Sequence, residues 1–219
     1  MLEFYAHPFS SYCQKVQIAL DERSIPFTYR MLDQDHPENF RTLRRLWPVG
    51  KFPVLVEDGK PIVESSIIIE WLDHHRFGTT GRLIPDDPAE ALRARFMDRV
   101  FDNHVMTPVQ AIVNEYLIDA DAPDAGRIAK ARSALDAAYD WLEGKIEDGQ
   151  WAAGASFSLA DCAAAPALFY ADWVQPLGEA RPWLGAYRAR LLARPSVARA
   201  VDQARPYRPL FPPGAPERD

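Results

Sequence analysis

The chain is poor in cysteine, has no long apolar run and carries no basic stretch, and each absence removes a class of protein. Cys13 and Cys162 are its only two cysteines in 219 residues. They lie far apart, which argues against a secreted disulfide framework. No Cys or His cluster has zinc-ligand spacing. The five histidines, His7, His36, His74, His75 and His104, form neither H-x-x-x-H nor H-E-x-x-H. No metal is therefore expected, and His74-His75 reads as a pair at a helix end, where cations offset the dipole. No stretch approaches the roughly 18 consecutive apolar residues of a membrane span. The opening MLEFYAHPFS lacks the basic region and apolar core of a secretory signal, so a cytoplasmic protein without membrane attachment is expected. The net charge is −6, with acids and bases mixed and no basic run interleaved with aromatics, which speaks against nucleic acid as a partner.

What the chain does contain is concentrated between Gly50 and Ser66, GKFPVLVEDGKPIVESS. Val54, Leu55 and Val56 read as a strand, and Asp58-Gly59 suits a two-residue turn with positive φ. Pro61 to Val63 then reads as an edge strand returning antiparallel. Glu64, Ser65 and Ser66 stand where a helix begins, because Ile67, Ile68, Trp71 and Leu72 follow at helical spacing. A helix N-terminus offers backbone N–H groups and partial positive charge to an anion. A carboxylate beside it holds an ammonium group, so this corner suits a zwitterion.

Around that segment the chain reads as alternating elements. Residues 2–6 are a first strand, ended by His7-Pro8. Residues 12–23 are a helix through Val16, Ala19 and Leu20, with Ser10 or Ser11 as N-cap. Phe27, Tyr29 and Met31 alternate as a second strand, and such a crossover joins parallel strands. Residues 38–46 form a weaker helix, and a further helix is expected over 65–77. The order β-α-β-α-β-β-α fits a thioredoxin-like domain and other small α/β domains. Residues 78–88 shift to glycine, threonine and proline, as a linker does. Beyond it only helices are expected. One long helix covers 89–117, with Pro108 able to kink it, and others cover 126–146, 181–192 and 197–204. Ser158 and Asp161 form a capping box behind Phe157, placed as a hydrophobic staple. The proline-rich tail from Arg205 is expected to be irregular, either lying across the N-terminal domain or moving freely.

Ser10 stands between a strand end and a helix start, so it either caps the helix or points its hydroxyl at a ligand there. A free thiol has a pKa of roughly 8.5, and the thiolate is the nucleophile. A serine hydroxyl and a helix N-terminus together favour that anion, so the protein could activate a thiol it does not itself supply. Cys13 is the rival, because Ser10-Ser11-Tyr12-Cys13 resembles a C-x-x-C redox motif with its first cysteine replaced. A thiol three residues into a helix more commonly faces the packed side. Lys51 is either a partner for a carboxylate or a solvated loop lysine.

Taken together, Phe9-Ser10-Ser11-Tyr12-Cys13, the 50–66 segment and Ser158-Leu159-Ala160-Asp161 resemble the cytosolic glutathione transferase family, from Leu2 to about Arg205. The resemblance implies an α/β thioredoxin-like N-terminal domain (1–78), a linker (79–88) and an all-α C-terminal helical-bundle domain (89–219). It implies glutathione as cosubstrate, bound by Ser10, Lys51, the backbone of Phe52 before a cis Pro53, Glu64 and Ser65. Ser10, with Val16 after it, matches the catalytic serine of the theta and zeta classes, and Ser11 or Cys13 is the fallback. Thr107-Pro108-Val109-Gln110 resembles a Q-P-L-Q stretch of the zeta class with threonine replacing the first glutamine. The zeta S-S-C-x-W-R signature is also incomplete, with Tyr12 and Lys15 replacing its cysteine and arginine. Phe9, Thr107, Gln110 and Asn114 are the candidates for the electrophile, in a cleft between the domains. A homodimer that conjugates the glutathione thiolate to an apolar electrophile is the implied function. A glutathione-dependent isomerase of maleylacetoacetate type, a thiol reductase or peroxidase, and a non-catalytic glutathione-binding module are the alternatives.

Overall fold

In the computed structural model, which describes residues 1–75, 81–146 and 150–219, the chain divides into two units, Met1–Ile84 and Pro85–Asp219. The first contains β1 (Leu2–Ala6), α1 (Ser11–Glu22), β2 (Thr28–Met31), α2 (Pro37–Leu46), β3 (Val54–Glu57), β4 (Lys60–Val63) and α3 (Ser65–His75). This is the expected order of a thioredoxin-like domain. Arg76 and Phe77, expected to end α3, and Gly78, Thr79 and Thr80 of the expected linker lie outside the described residues.

The sheet runs β2-β1-β3-β4, with β1 parallel to β2 and β3 antiparallel to both its neighbours. Asp58 and Gly59 both take positive φ, 50° and 77°, which is the turn that lets β4 return directly beside β3. Pro61 has no N–H to donate and sits on β4, the strand at the edge. One sheet face places Tyr5, Val54 and Val56 against Leu43 of α2 and Leu32, with Phe40, Leu46, Trp47, Phe52 and Val63 around them. Leu2, Phe4 and Leu55, on the alternate positions, are also buried, and α1 packs against α3. Where α1 ends, the buried Arg23 guanidinium bonds the equally buried Asp73 of α3. Asp73 also accepts the backbone N–H groups of Leu83 and Ile84, at 3.2 and 2.8 Å.

The described residues of the second unit carry helices α4 (Pro88–Val100), α5 (Thr107–Ile118), α6 (Ala125–Glu143), α7 (Leu159–Val174), α8 (Pro182–Leu192) and α9 (Pro195–Ala204). The long helix expected over 89–117 is helical throughout but not regular: a π-helical turn, Phe101–Met106, joins α4 to α5. Asp102's carbonyl accepts from Thr107's N–H, five residues on, and from its hydroxyl at 3.1 Å. Pro108 follows at once. Its ring would press on the carbonyl four residues back in an α-helix, and the wider turn relieves that contact.

Every residue of α7 is buried, as expected of a helix that is apolar all round. Its N-terminus is fixed by the capping box read from sequence, Ser158 with Asp161. Asp161 also accepts from Ala152 N–H at 2.9 Å and Tyr187 O–H at 2.6 Å. The tail is irregular from Phe211 on, as expected, but its first six residues are not, and it is packed. Residues Arg205–Leu210 form a 3₁₀ turn. The buried Phe211 packs on Tyr170 and Trp173 of α7, at 6.1 and 5.1 Å between centroids, while Arg218 donates to the Asp172 carbonyl. Apolar burial and a charge-assisted bond hold the tail on its own unit, despite its prolines.

Asp161→Ala would leave the N–H groups of Ala152 and Ser158 and the Tyr187 hydroxyl buried without this acceptor. At about 1–3 kcal/mol for each such group, the variant should lose at least about 3 kcal/mol in urea unfolding. Ser158→Ala should lose about 1 kcal/mol. Equal losses in the two variants would contradict the hub described for Asp161.

Candidate functional site

Three turns leave the same end of the first unit's sheet. Val54 of β3 pairs with Tyr5 near the end of β1 and with Val63 at the end of β4. Residues 7–10 after β1, 51–53 before β3 and 64–66 after β4 therefore emerge side by side. The register brings together Ser10, Lys51, Phe52, Pro53, Glu64 and Ser65 from three distant parts of the sequence.

Ser10 is the N-cap of α1, with extended backbone (φ −86°, ψ 122°). Its hydroxyl oxygen accepts Cys13 N–H at 3.4 Å, and its carbonyl accepts Gln14 N–H at 2.9 Å. Capping uses the oxygen as acceptor, so the hydroxyl proton remains able to donate. The first turn of α1 contains no acid, and its partial positive charge is not cancelled from within. Ser10 is half-buried, whereas Ser11, the fallback, is buried in the helix. Phe9 is half-buried on the same turn.

Cys13 is fully buried, and burial pushes its thiol up to about 12, against the pull of the Ser10 hydroxyl and the His7 backbone. A thiol so placed is protonated and out of solvent, which is the packed-side position and the reverse of a redox cysteine's surroundings.

The Phe52-Pro53 peptide bond is cis, with Pro53 buried and Phe52 packed at the edge of the α2-side core. Lys51 is exposed. Glu64 takes φ 69°, a left-handed conformation costing a residue with a side chain of order 1–3 kcal/mol. Its carbonyl accepts Ile68 N–H at 2.8 Å, and its side chain is exposed. Ser65 is buried, and the first turn of α3 contains no acid. Behind it, the buried Lys15 of α1 donates from Nζ to Ser66 Oγ at 2.9 Å. Lys15 and His7 have places here that sequence reasoning did not assign. The only signal of Lys15 was a lysine amid the largely buried length of α1, and of His7 its place two residues before Phe9.

Thr107, Gln110 and Asn114 share one exposed face of α5 in the second unit. All three are polar, so this face offers hydrogen bonds rather than an apolar wall. Among the described residues, no group of three or more His, Cys, Asp or Glu is arranged to hold a metal ion, and no helix is long and apolar enough to cross a membrane.

Comparison with known proteins places this geometry in context. Residues 4–80 match the family model of the glutathione S-transferase N-terminal domain, and residues 118–190 that of the C-terminal domain. A probable glutathione S-transferase of Nicotiana tabacum is 30% identical over 168 residues, 75% of this chain and 67% of that one. FtsZ-localized protein A of Caulobacter vibrioides is 30% identical over 206 residues, 87% of this chain and 88% of that one. The crystal structure of a glutathione S-transferase from Methylobacillus flagellatus KT with glutathione bound superposes with a TM-score of 0.80 at 25% identity, covering 91% of this chain and 98% of that one.

Both cysteines are fully buried. Iodoacetamide should therefore modify neither Cys13 nor Cys162 in the native protein and both after denaturation, as read by mass spectrometry of the digested chain. Labelling of Cys13 under native conditions would restore the thiol-exchange alternative.

Proposed function

The chain belongs to the glutathione S-transferase family, and on that premise we propose that it binds glutathione at the three-turn end of its first unit and activates the thiol through Ser10. This is the serine-type manner of the theta and zeta classes. The observation that carries it is Ser10 at the α1 N-cap, on the sheet end shared with the cis Phe52-Pro53 bond and Glu64-Ser65. The Ser10 hydroxyl donates to the glutathione sulfur and the N-terminus of α1 favours the negative charge, so the bound thiol ionises more readily than the free one. The thiolate then forms a bond to an electrophilic carbon: in substitution the leaving group departs with the bonding pair, and in addition the π pair moves onto the activating group, which then takes a proton from solvent. The Phe52 backbone holds the cysteinyl part. Ser65 and the start of α3 receive the γ-glutamyl carboxylate, and Glu64 the neighbouring ammonium. The left-handed φ of Glu64 supports a role in binding, since strain of this kind collects at ligand sites. Lys51 meets the glycine carboxylate.

In this proposal residues 1–78 form the glutathione domain, 79–88 the linker and 89–219 the helical domain. Phe9, Thr107, Gln110 and Asn114 contact the electrophile. The protein works in the cytoplasm as a homodimer. Support for self-association comes from Leu92, Phe96 and Trp141, exposed apolar residues of the second unit, with Phe96 and Trp141 in edge-to-face contact at 5.9 Å. The burial of Cys13 weighs against a reductase, and Tyr12 and Lys15 depart from the zeta isomerase signature. A non-catalytic module is the second alternative, favoured by a relative that spans 87% of the chain and is named for localisation with FtsZ.

The deciding measurement is the ultraviolet thiolate absorbance of bound glutathione against pH. Native protein should ionise the thiol below its free value, and Ser10→Ala should raise it again by about 1–2 units, the worth of one hydrogen bond to a charge. Glu64→Ala should raise the dissociation constant for glutathione while leaving the urea midpoint near native. Glutathione bound with an unshifted thiol would favour the non-catalytic module, and an unchanged affinity in Glu64→Ala would remove Glu64 from the site.

A further inference from the structure

Ser10 serves a sulfur only if the turn that carries it holds still. His7, three positions upstream, makes two of the contacts that hold it. Its ring Nδ1 accepts the Phe9 N–H at 3.1 Å, and its backbone carbonyl accepts the Ser10 N–H at 3.0 Å. The same backbone also meets the Cys13 thiol. Pro8, between them, has no N–H to compete for the ring and fixes its own φ. A ring nitrogen accepts an N–H only through a free lone pair, so this contact requires a neutral imidazole with its proton on Nε2. The arrangement is that of an Asx turn, in which an Asn or Asp oxygen takes the N–H two residues on, with histidine in place of the amide.

We infer that His7 is a positioning residue for Ser10: its neutral ring and its carbonyl together set the 7–10 turn in which Ser10 caps α1, so activation of a thiol at this site requires an unprotonated His7. The inference rests on the glutathione function proposed for the site. His7 is half-buried, and burial lowers its pKa from the ordinary value of 6.5, as this role needs. Asp33, in the loop after β2, raises the pKa and partly opposes the burial. It is itself bonded to His36 Nδ1 at 2.6 Å. The Cys13 thiol of α1 stays protonated and brings no charge. For a histidine whose pKa is lowered in the fold, the contribution to the ordered turn is full above about 6.5. It is lost as the pH falls through the lowered native value.

The test uses the full chain, native and with His7→Ala or His7→Asn. Nitrogen NMR of the native ring should report a lone pair on Nδ1 and a proton on Nε2 at neutral pH, and a protonated Nδ1 would overturn the inference. His7→Ala should raise the pKa of bound glutathione, with a fall of about tenfold in thiolate fraction per unit. His7→Asn, whose side-chain oxygen accepts the same N–H, should restore the native value and remove the acid-side loss that titration of His7 produces. An unchanged thiol in His7→Ala, or no rescue by His7→Asn when both variants melt like native, would overturn it. If native protein binds glutathione without shifting its thiol, the proposed function falls. His7 is then judged by its tautomer and by hydrogen exchange at the Phe9 amide, whose protection His7→Ala must lose and His7→Asn keep.

Discussion

β3 runs antiparallel to both of its neighbours, and the grouping of turns in the first unit follows from that pairing. Because Val54 opposes both Tyr5 and Val63, the chain leaves β1, enters β3 and leaves β4 at one end of the sheet. A slip of one residue would also exchange the two faces. Val54 and Val56 would leave the α2-side core and Leu55 would enter it. The register that buries the core is thus the register that gathers the site, and one cannot drift without the other.

The gathered end has a consistent electrostatic character. α1 and α3 begin there without an acid in the first turn, so both helix N-termini keep their partial positive charge. Lys15 stands behind the second of them, its Nζ donating to Ser66 Oγ. A lysine this buried needs oxygen partners, and the Ser66 hydroxyl is one. The carboxylate on this rim, Glu64, stands exposed on a left-handed residue. An anion and an ammonium group a few ångströms apart would both find counter-charge here.

Much of this was legible in sequence because it depends on neighbours along the chain. Asp58-Gly59 predicted the hairpin through its φ preference, Ser10 or Ser11 the start of α1, and Ser158 with Asp161 the capping box. What was hidden depends on partners distant in sequence or on geometry finer than a residue pattern resolves. Lys15 figures in the sequence only as a departure from the zeta signature, until Ser66, 51 residues on, is brought beside it. The tail looks disordered by composition, yet Phe211 finds Tyr170 and Trp173. His7 in sequence is one histidine among five, and only the folded turn shows its ring facing the Phe9 amide. The register change at 101–106 is equally invisible, since six residues are too few for a period to declare itself.

That π-helical turn bears on how this helix tolerates change in length. A wider turn accommodates a residue that an α-helix would not, and each residue rotates an α-helix by about 100°. Loss of one residue between 101 and 106 would let the whole run close into regular α-helix. Because the wider turn has already taken up that residue, Thr107, Gln110 and Asn114 would keep the side they now share, and the stripe formed by Val109 and Ile112 would stay buried. The segment acts as a phase adjuster: it holds an extra residue that would otherwise rotate everything beyond it, so a single-residue deletion there would leave unchanged which chemistry the second unit presents to solvent.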